Sequence, residues 1–139
     1  MMTRYLIDTN TIAEPMRPRP DVQVMAHLER YQAELAIAAG VWHELLFGCL
    51  RLPPSQKRMA IETYLYQVVA PSILILPYDV RAAEWFAHER ARLTAAGKTP
   101  SYPDGQIAAV AAVNGLTLVT RNTSDFSVFD GITIMKWHT

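Results

Sequence analysis

Four acidic residues stand where they could act together. Asp8 follows the apolar run Leu6-Ile7, Glu44 lies within Trp42–Phe47, Asp104 follows Tyr102-Pro103, and Asp125 closes the polar run that begins at Thr120. Like charges a few ångströms apart do not all stay ionised unless a cation compensates them. Oxygen donors select hard ions, Mg²⁺ or Mn²⁺, over Zn²⁺, and no Cys/His cluster competes for a zinc reading. A carboxylate-held Mg²⁺ suits phosphodiester hydrolysis, because it acidifies a bound water and stabilises the oxygens of an in-line displacement. Thr120 and Asn122 add a hydroxyl and an amide able to position water or phosphate, and Arg121 between them either reaches a phosphate or is an ordinary solvated arginine. Each acid also has an ordinary structural explanation. Asp8 suits a helix N-cap, Ser101-Tyr102-Pro103-Asp104 resembles a capping box, and Asp125 suits the cap of a short turn. Glu44 is hardest to explain this way, since no basic residue stands at i±4.

Convergence of these acids requires a sheet whose strand ends share an edge. Arg4–Ile7 reads as a strand running into the turn or cap cluster Asp8-Thr9-Asn10. Prolines 15, 18 and 20 interrupt regular structure, and Asp21 caps a helix carrying Val24, Met25, Leu28 and Tyr31. Leu35–Ala38 is a second strand, followed by a helix from Val41 to about Leu50. Ser55 caps a long helix through Ile61, Leu65 and Val68, which Pro71 ends. Ile73–Leu76 is a third strand, Asp79 starts a helix that stops near Gly97, and Pro103-Asp104 opens the helix Ile107–Val113, closed at Asn114-Gly115. Leu116–Val119 and Ile132–Met135 are the last strands. Strands alternating with helices make the fold class α/β, a central parallel sheet flanked by helices on both faces. In such sheets function gathers at the carboxyl ends of the strands.

Composition narrows the partners. Of 139 residues 50% are hydrophobic and 19% charged, enough apolar material for a core, and 13 Lys plus Arg balance 13 Asp plus Glu. A strongly basic coat is therefore excluded, and nucleic-acid contact would come from a local patch. The single cysteine, Cys49, forms no internal disulfide and reads as a small buried hydrophobe. A carboxylate at Asp8 interrupts any export signal, and Val68–Pro77 and Ile107–Val113 are too short to span a bilayer. The expectation is one soluble, cytoplasmic domain over residues 1–139, with no membrane partner.

The runs Leu6-Ile7-Asp8-Thr9-Asn10, Glu44-Leu45-Leu46-Phe47-Gly48, Pro103-Asp104-Gly105-Gln106-Ile107-Ala108-Ala109 and Leu118-Val119-Thr120-Arg121-Asn122-Thr123-Ser124-Asp125-Phe126 together resemble the PIN-domain ribonucleases. Within them the chain is similar to the VapC toxins, in particular the FitB-like branch, over nearly its whole length. The resemblance implies an acidic pocket of Asp8, Glu44, Asp104 and Asp125 that binds Mg²⁺ or Mn²⁺. Asp8 and Asp104 correspond to the principal metal ligands, while Glu44 and Asp125 complete the pocket, often through water. Some relatives carry an acid where Asn122 stands, so Asn122 and Asp125 share the fourth position. Single-stranded RNA or tRNA as substrate, a homodimer, and a small antitoxin that inserts a basic side chain among the acids are implied as well.

A second reading keeps the PIN-like fold but makes the acidic edge a non-catalytic binding surface for a basic partner segment. A phosphoacceptor domain of the receiver type fits poorly, because no second acid adjoins Asp8 and no lysine follows the Thr120 strand. Arg17 and Arg19, between prolines, either touch RNA or keep the loop soluble, and Arg51, Lys57 and Arg58 pose the same choice around Pro53-Pro54. His43 is read as structural, since consecutive helix positions point about 100° apart and would not share a pocket with Glu44. His27, His88 and His138 have no ligand spacing. Tyr64–Val69 and Trp85-Phe86 belong to the core or to a subunit interface.

Overall fold

The short apolar runs pair with one another in a single direction. A computed structural model describes residues 2–139. Strands β1 (Tyr5–Ile7), β2 (Leu35–Ala38), β3 (Leu74–Leu76), β4 (Thr117–Val119) and β5 (Thr133–Met135) form an all-parallel sheet in the order β3-β2-β1-β4-β5. A parallel sheet covered on both faces needs apolar residues at successive positions. Every residue of β1 and β2 is buried, whereas the edge strands β3 and β5 are partly exposed.

Eight helices accompany the described strands: α1 (Thr9–Ile12), α2 (Val22–Arg30), α3 (Ala39–Leu50), α4 (Gln56–Tyr64), α5 (Ala70–Ser72), α6 (Val80–Ala95), α7 (Tyr102–Val113) and α8 (Thr123–Phe126). Their starts are written in short polar side chains. Asp21 accepts from the Gln23 and Val24 N–H groups, Ser55 from Arg58 N–H, Asp79 from Ala82 N–H and Ser101 from Asp104 N–H. Each satisfies donors that the first helical turn leaves open. α6 ends at Gly97, whose φ of 74° is open to glycine at no steric cost, with Lys98 N–H returning to the Leu93 carbonyl. The core runs through Leu6, Ile7, Ile37, Val41, Phe86 and Leu118, and Cys49 is buried in it.

Three expectations change. The helix that starts at Gln56 does not end at Pro71: it widens into a π turn over Leu65–Val69, where Ala70 N–H donates to the Leu65 carbonyl, and stays helical through Ser72. Pro71 falls in the first turn of α5, where a missing N–H and a fixed φ are tolerated. The helix expected over Ile107–Val113 begins five residues earlier, at Tyr102, with Ser101 capping it as the capping-box reading of Ser101–Asp104 has it. Asp125 lies inside the short helix α8 instead of capping a turn. Within the Tyr64–Val69 segment Leu65 and Val69 are buried in the core, while Tyr66 and Val68 are exposed.

Candidate active site

β1 and β4 are neighbours, with Ile7 opposite Val119, so Asp8 and Thr120 emerge side by side at the carboxyl ends of the sheet. Strands β2 and β3 extend to one side of β1, and β4 and β5 to the other. Between β1 and β4 lies the topological switch point, where α/β sheets open a crevice for ligands. The Asp8 N–H donates to the Val119 carbonyl (2.9 Å), its Oδ1 accepts from Thr9 N–H (2.8 Å) and its Oδ2 accepts from the Thr120 hydroxyl (2.8 Å). Asp8 is thus the N-cap of α1, as its ordinary explanation required. A carboxylate has about four acceptor sites, so capping leaves room for a cation.

The remaining acids come from separate helices. Glu44, exposed on α3, accepts from the Thr9 hydroxyl (2.9 Å), so the pair Thr9 and Asp8 ties both acids to the start of α1. Asp104 is half-buried in the first turn of α7. Asp125 is exposed on α8. Burial pushes the Asp8 carboxyl above the usual aspartate range, against hydrogen bonds from Thr120 and Thr9, and the charges of Asp104 and Glu44 add to the rise. Burial likewise raises Asp104, opposed by Ser101 and reinforced by Asp125 and Glu44. Asp8 thus feels the charges of Asp104 and Glu44, and Asp104 those of Asp125 and Glu44.

This donor set fits a hard divalent ion by its chemistry, all oxygen, and by its uncompensated charge. Among the described residues no three His, Cys, Asp or Glu side chains stand close enough to grip one ion together as they are placed. Direct binding by one or two carboxylates, with water filling the other positions, is the coordination Mg²⁺ favours.

A pH dependence of stability follows from these carboxyls. Because Asp8 and Asp104 are raised in the folded state, their protonated forms favour folding, and that contribution is lost as pH rises through their folded values. Asp21 has the opposite sign. Thr139 N–H and hydroxyl and the Val24 and Gln23 N–H groups hold it at about 2, so its contribution is present above 3.8 and lost as pH falls toward 2. In chelator, the thermal midpoint is expected to rise as pH drops from neutrality into the carboxylate range and to fall below it. Saturating Mg²⁺ should flatten the rise. A metal-free midpoint that only falls from neutrality downward would contradict this.

His43 and Glu44 both line a pocket of about 110 Å³ with Gly40, Pro103, Gln106 and Ile107. This small cavity lies between α3 and the start of α7 and holds none of the other acids. His138 is buried, with Nε2 3.2 Å from Glu14 Oε2. Arg121 lines a separate pocket beyond Thr120, and Asn122 is exposed with its N–H donating to the Thr120 hydroxyl (3.0 Å). Thr9, which binds Asp8 and Glu44 at once, went unassigned although it stands beside Asp8 in the first motif.

Residues 5–132 match the family model of the PIN domain. The chain is 35% identical to Toxin FitB of Neisseria gonorrhoeae over 136 residues, 96% of this chain and 98% of that one. It is 32% identical to VapC ribonuclease Y4jK of Sinorhizobium fredii, covering 95% and 96% of the two chains. A solved structure of FitAB bound to an IR36 DNA fragment superposes with a TM-score of 0.89 at 32% identity, over 97% of this chain and 96% of that one.

Proposed function

Because the chain belongs to the PIN-domain family, and within it to the FitB- and VapC-like toxins, we propose that it is a metal-dependent endoribonuclease, the toxin of a type II toxin–antitoxin pair. The observation that carries the reading is Asp8 at the switch point of a parallel sheet, near enough to Asp104 and Glu44 for their charges to raise its carboxyl. Asp8 and Asp104 would hold Mg²⁺ or Mn²⁺, and Glu44 and Asp125 would complete its shell through water. When bound, such an ion acidifies water and neutralises charge on phosphodiester oxygens. The chain's own contribution is placement: Thr120 and Thr9 fix the Asp8 carboxylate, Thr9 fixes Glu44, and Ser101 sets the first turn that carries Asp104.

The substrate is tRNA or single-stranded RNA, and a small cognate antitoxin occupies the acidic pocket with a basic side chain, favoured by the same negative field that draws the metal. The chain acts in the cytoplasm as one PIN-like domain over 1–139; no described helix is long and apolar enough to cross a membrane. It works as a homodimer, a reading supported by the exposed apolar side chains Phe47, Leu50, Tyr66 and Val68.

Cleavage of a mixed tRNA and single-stranded RNA pool tests the function. Cutting in Mg²⁺ or Mn²⁺ that stops in chelator is expected. A protein that holds a basic partner segment equally well in chelator, and cuts nothing, would be the binding module instead.

A further inference from the structure

Next to the acids lies a pocket of the opposite charge. It measures about 280 Å³, and its cations are Arg17, Arg19, Arg121 and Lys136, all exposed. They come from two parts of the fold: the proline-rich segment after α1, and the residues that follow β4 and β5. Arg121 is the residue immediately after Thr120, whose hydroxyl binds Asp8, so the pocket and the acid site share the carboxyl edge of the sheet.

The two acids in this pocket are already committed. Glu14, 2% exposed, accepts from Asp21 N–H (2.7 Å) and His138 Nε2 (3.2 Å), with Arg17 at 3.7 Å. Burial raises its carboxyl, but the Asp21 N–H, His138 and Arg17 outweigh that and hold it below the usual glutamate value. Asp21 accepts from Gln23 N–H, Val24 N–H, and the N–H and hydroxyl of Thr139. Among the described residues Arg19, Arg121 and Lys136 form no ion pair. Both carboxylates are thus already engaged, Glu14 by Arg17, His138 and the Asp21 N–H and Asp21 by N–H and hydroxyl donors, while Arg19, Arg121 and Lys136 stay unpaired among the described residues. No Phe, Tyr or Trp lines it, which leaves no platform for stacking a base. A surface of this kind reads backbone charge and not sequence.

We propose that this pocket is a second phosphate subsite, which holds a backbone phosphate of the RNA strand to one side of the bond cut at the acids. It rests on the ribonuclease reading, and deepens it by fixing how the strand crosses the sheet edge. Arg121 bridges the two places, and Arg19 and Lys136 anchor the strand beyond them.

The test is the double variant Arg19→Ala/Lys136→Ala, set against Arg30→Ala/Lys98→Ala, an exposed pair carrying the same change of charge elsewhere. Binding of labelled oligouridylate and oligoadenylate is measured in chelator across a salt series, and cleavage of the RNA pool in Mg²⁺. Loss of two phosphate contacts should lower the slope of log affinity on log salt by about 1.4 and weaken binding roughly tenfold at low salt. The loss should be equal for both oligonucleotides. In cleavage KM should rise with kcat unchanged. An unchanged slope and KM in a parent that does cleave, or an equal loss in the control pair, overturns the subsite and leaves the ribonuclease standing. A parent that neither binds nor cuts RNA overturns both.

Discussion

Asp8→Asn is expected to lower RNA cleavage by about 10²- to 10³-fold or more, the scale on which removal of one charge-stabilising group acts in a catalytic site. It should do so without unfolding the protein. The new amide oxygen can still accept from Thr9 N–H, and the Thr120 hydroxyl can turn to accept from the amide nitrogen. The substitution also removes a buried charge whose ionisation burial and neighbouring acids oppose. The thermal midpoint in chelator at neutral pH should therefore rise, while the parent's gain in stability from Mg²⁺ disappears. Asp8→Ala separates the two effects. It is equally inactive but leaves the cap of α1 unmade, at a cost of about 1 kcal/mol. Single-turnover cleavage and melting curves on the three proteins decide the matter. An Asp8→Asn protein that cuts as well as the parent would sink the mechanism.

The second large effect lies one residue beyond Asp104. Gly105 is buried in α7, and a methyl group there would fall inside the ring of Phe86 on α6, which is itself 2% exposed. The ring is held by Tyr102 and Phe129, with centroids 5.4 and 6.5 Å away, so it has little freedom to withdraw. Gly→Ala in an open helix gains about 1 kcal/mol. Here overpacking should reverse the sign, and Gly105→Ala should destabilise by roughly 1–3 kcal/mol in urea unfolding. Gly48→Ala on α3, where nothing lies within 4 Å, serves as control and should be neutral or stabilising. Because the same turn carries Asp104, Gly105→Ala should also need more Mg²⁺ for half-maximal cleavage. Trimming the ring with Phe86→Leu should restore part of both losses. A Gly105→Ala protein as stable as the parent would show that α6 and α7 separate more easily than their packing indicates.

Local signals carried much of this architecture. Asp21, Ser55, Asp79 and Ser101 cap helices because their short side chains reach N–H groups two or three residues ahead, a relation visible along the chain. The five strands were found within one or two residues since each is a brief apolar run between turn or cap residues. The acids could be ranked because strand order in α/β sheets sends function to one edge. What escaped depends on distant contacts. Glu14 carries no local signal for burial, and among its partners is His138, 124 residues later in the chain. Lys136 carries no local pattern linking it to Arg17, Arg19 and Arg121, and the π turn at Leu65–Val69 has no sequence signature beside an ordinary apolar helix.

The position of β1 has a consequence during biosynthesis. First of the described strands in chain order, it sits at the centre of the sheet, and its partner β4 emerges after seven of the eight described helices. The Asp8–Thr120 contact spans 112 residues, so the acids cannot be gathered on a partial chain still threading the exit tunnel. A site built in this order cannot assemble until the β4 segment has left the tunnel, long after Asp8 itself has emerged.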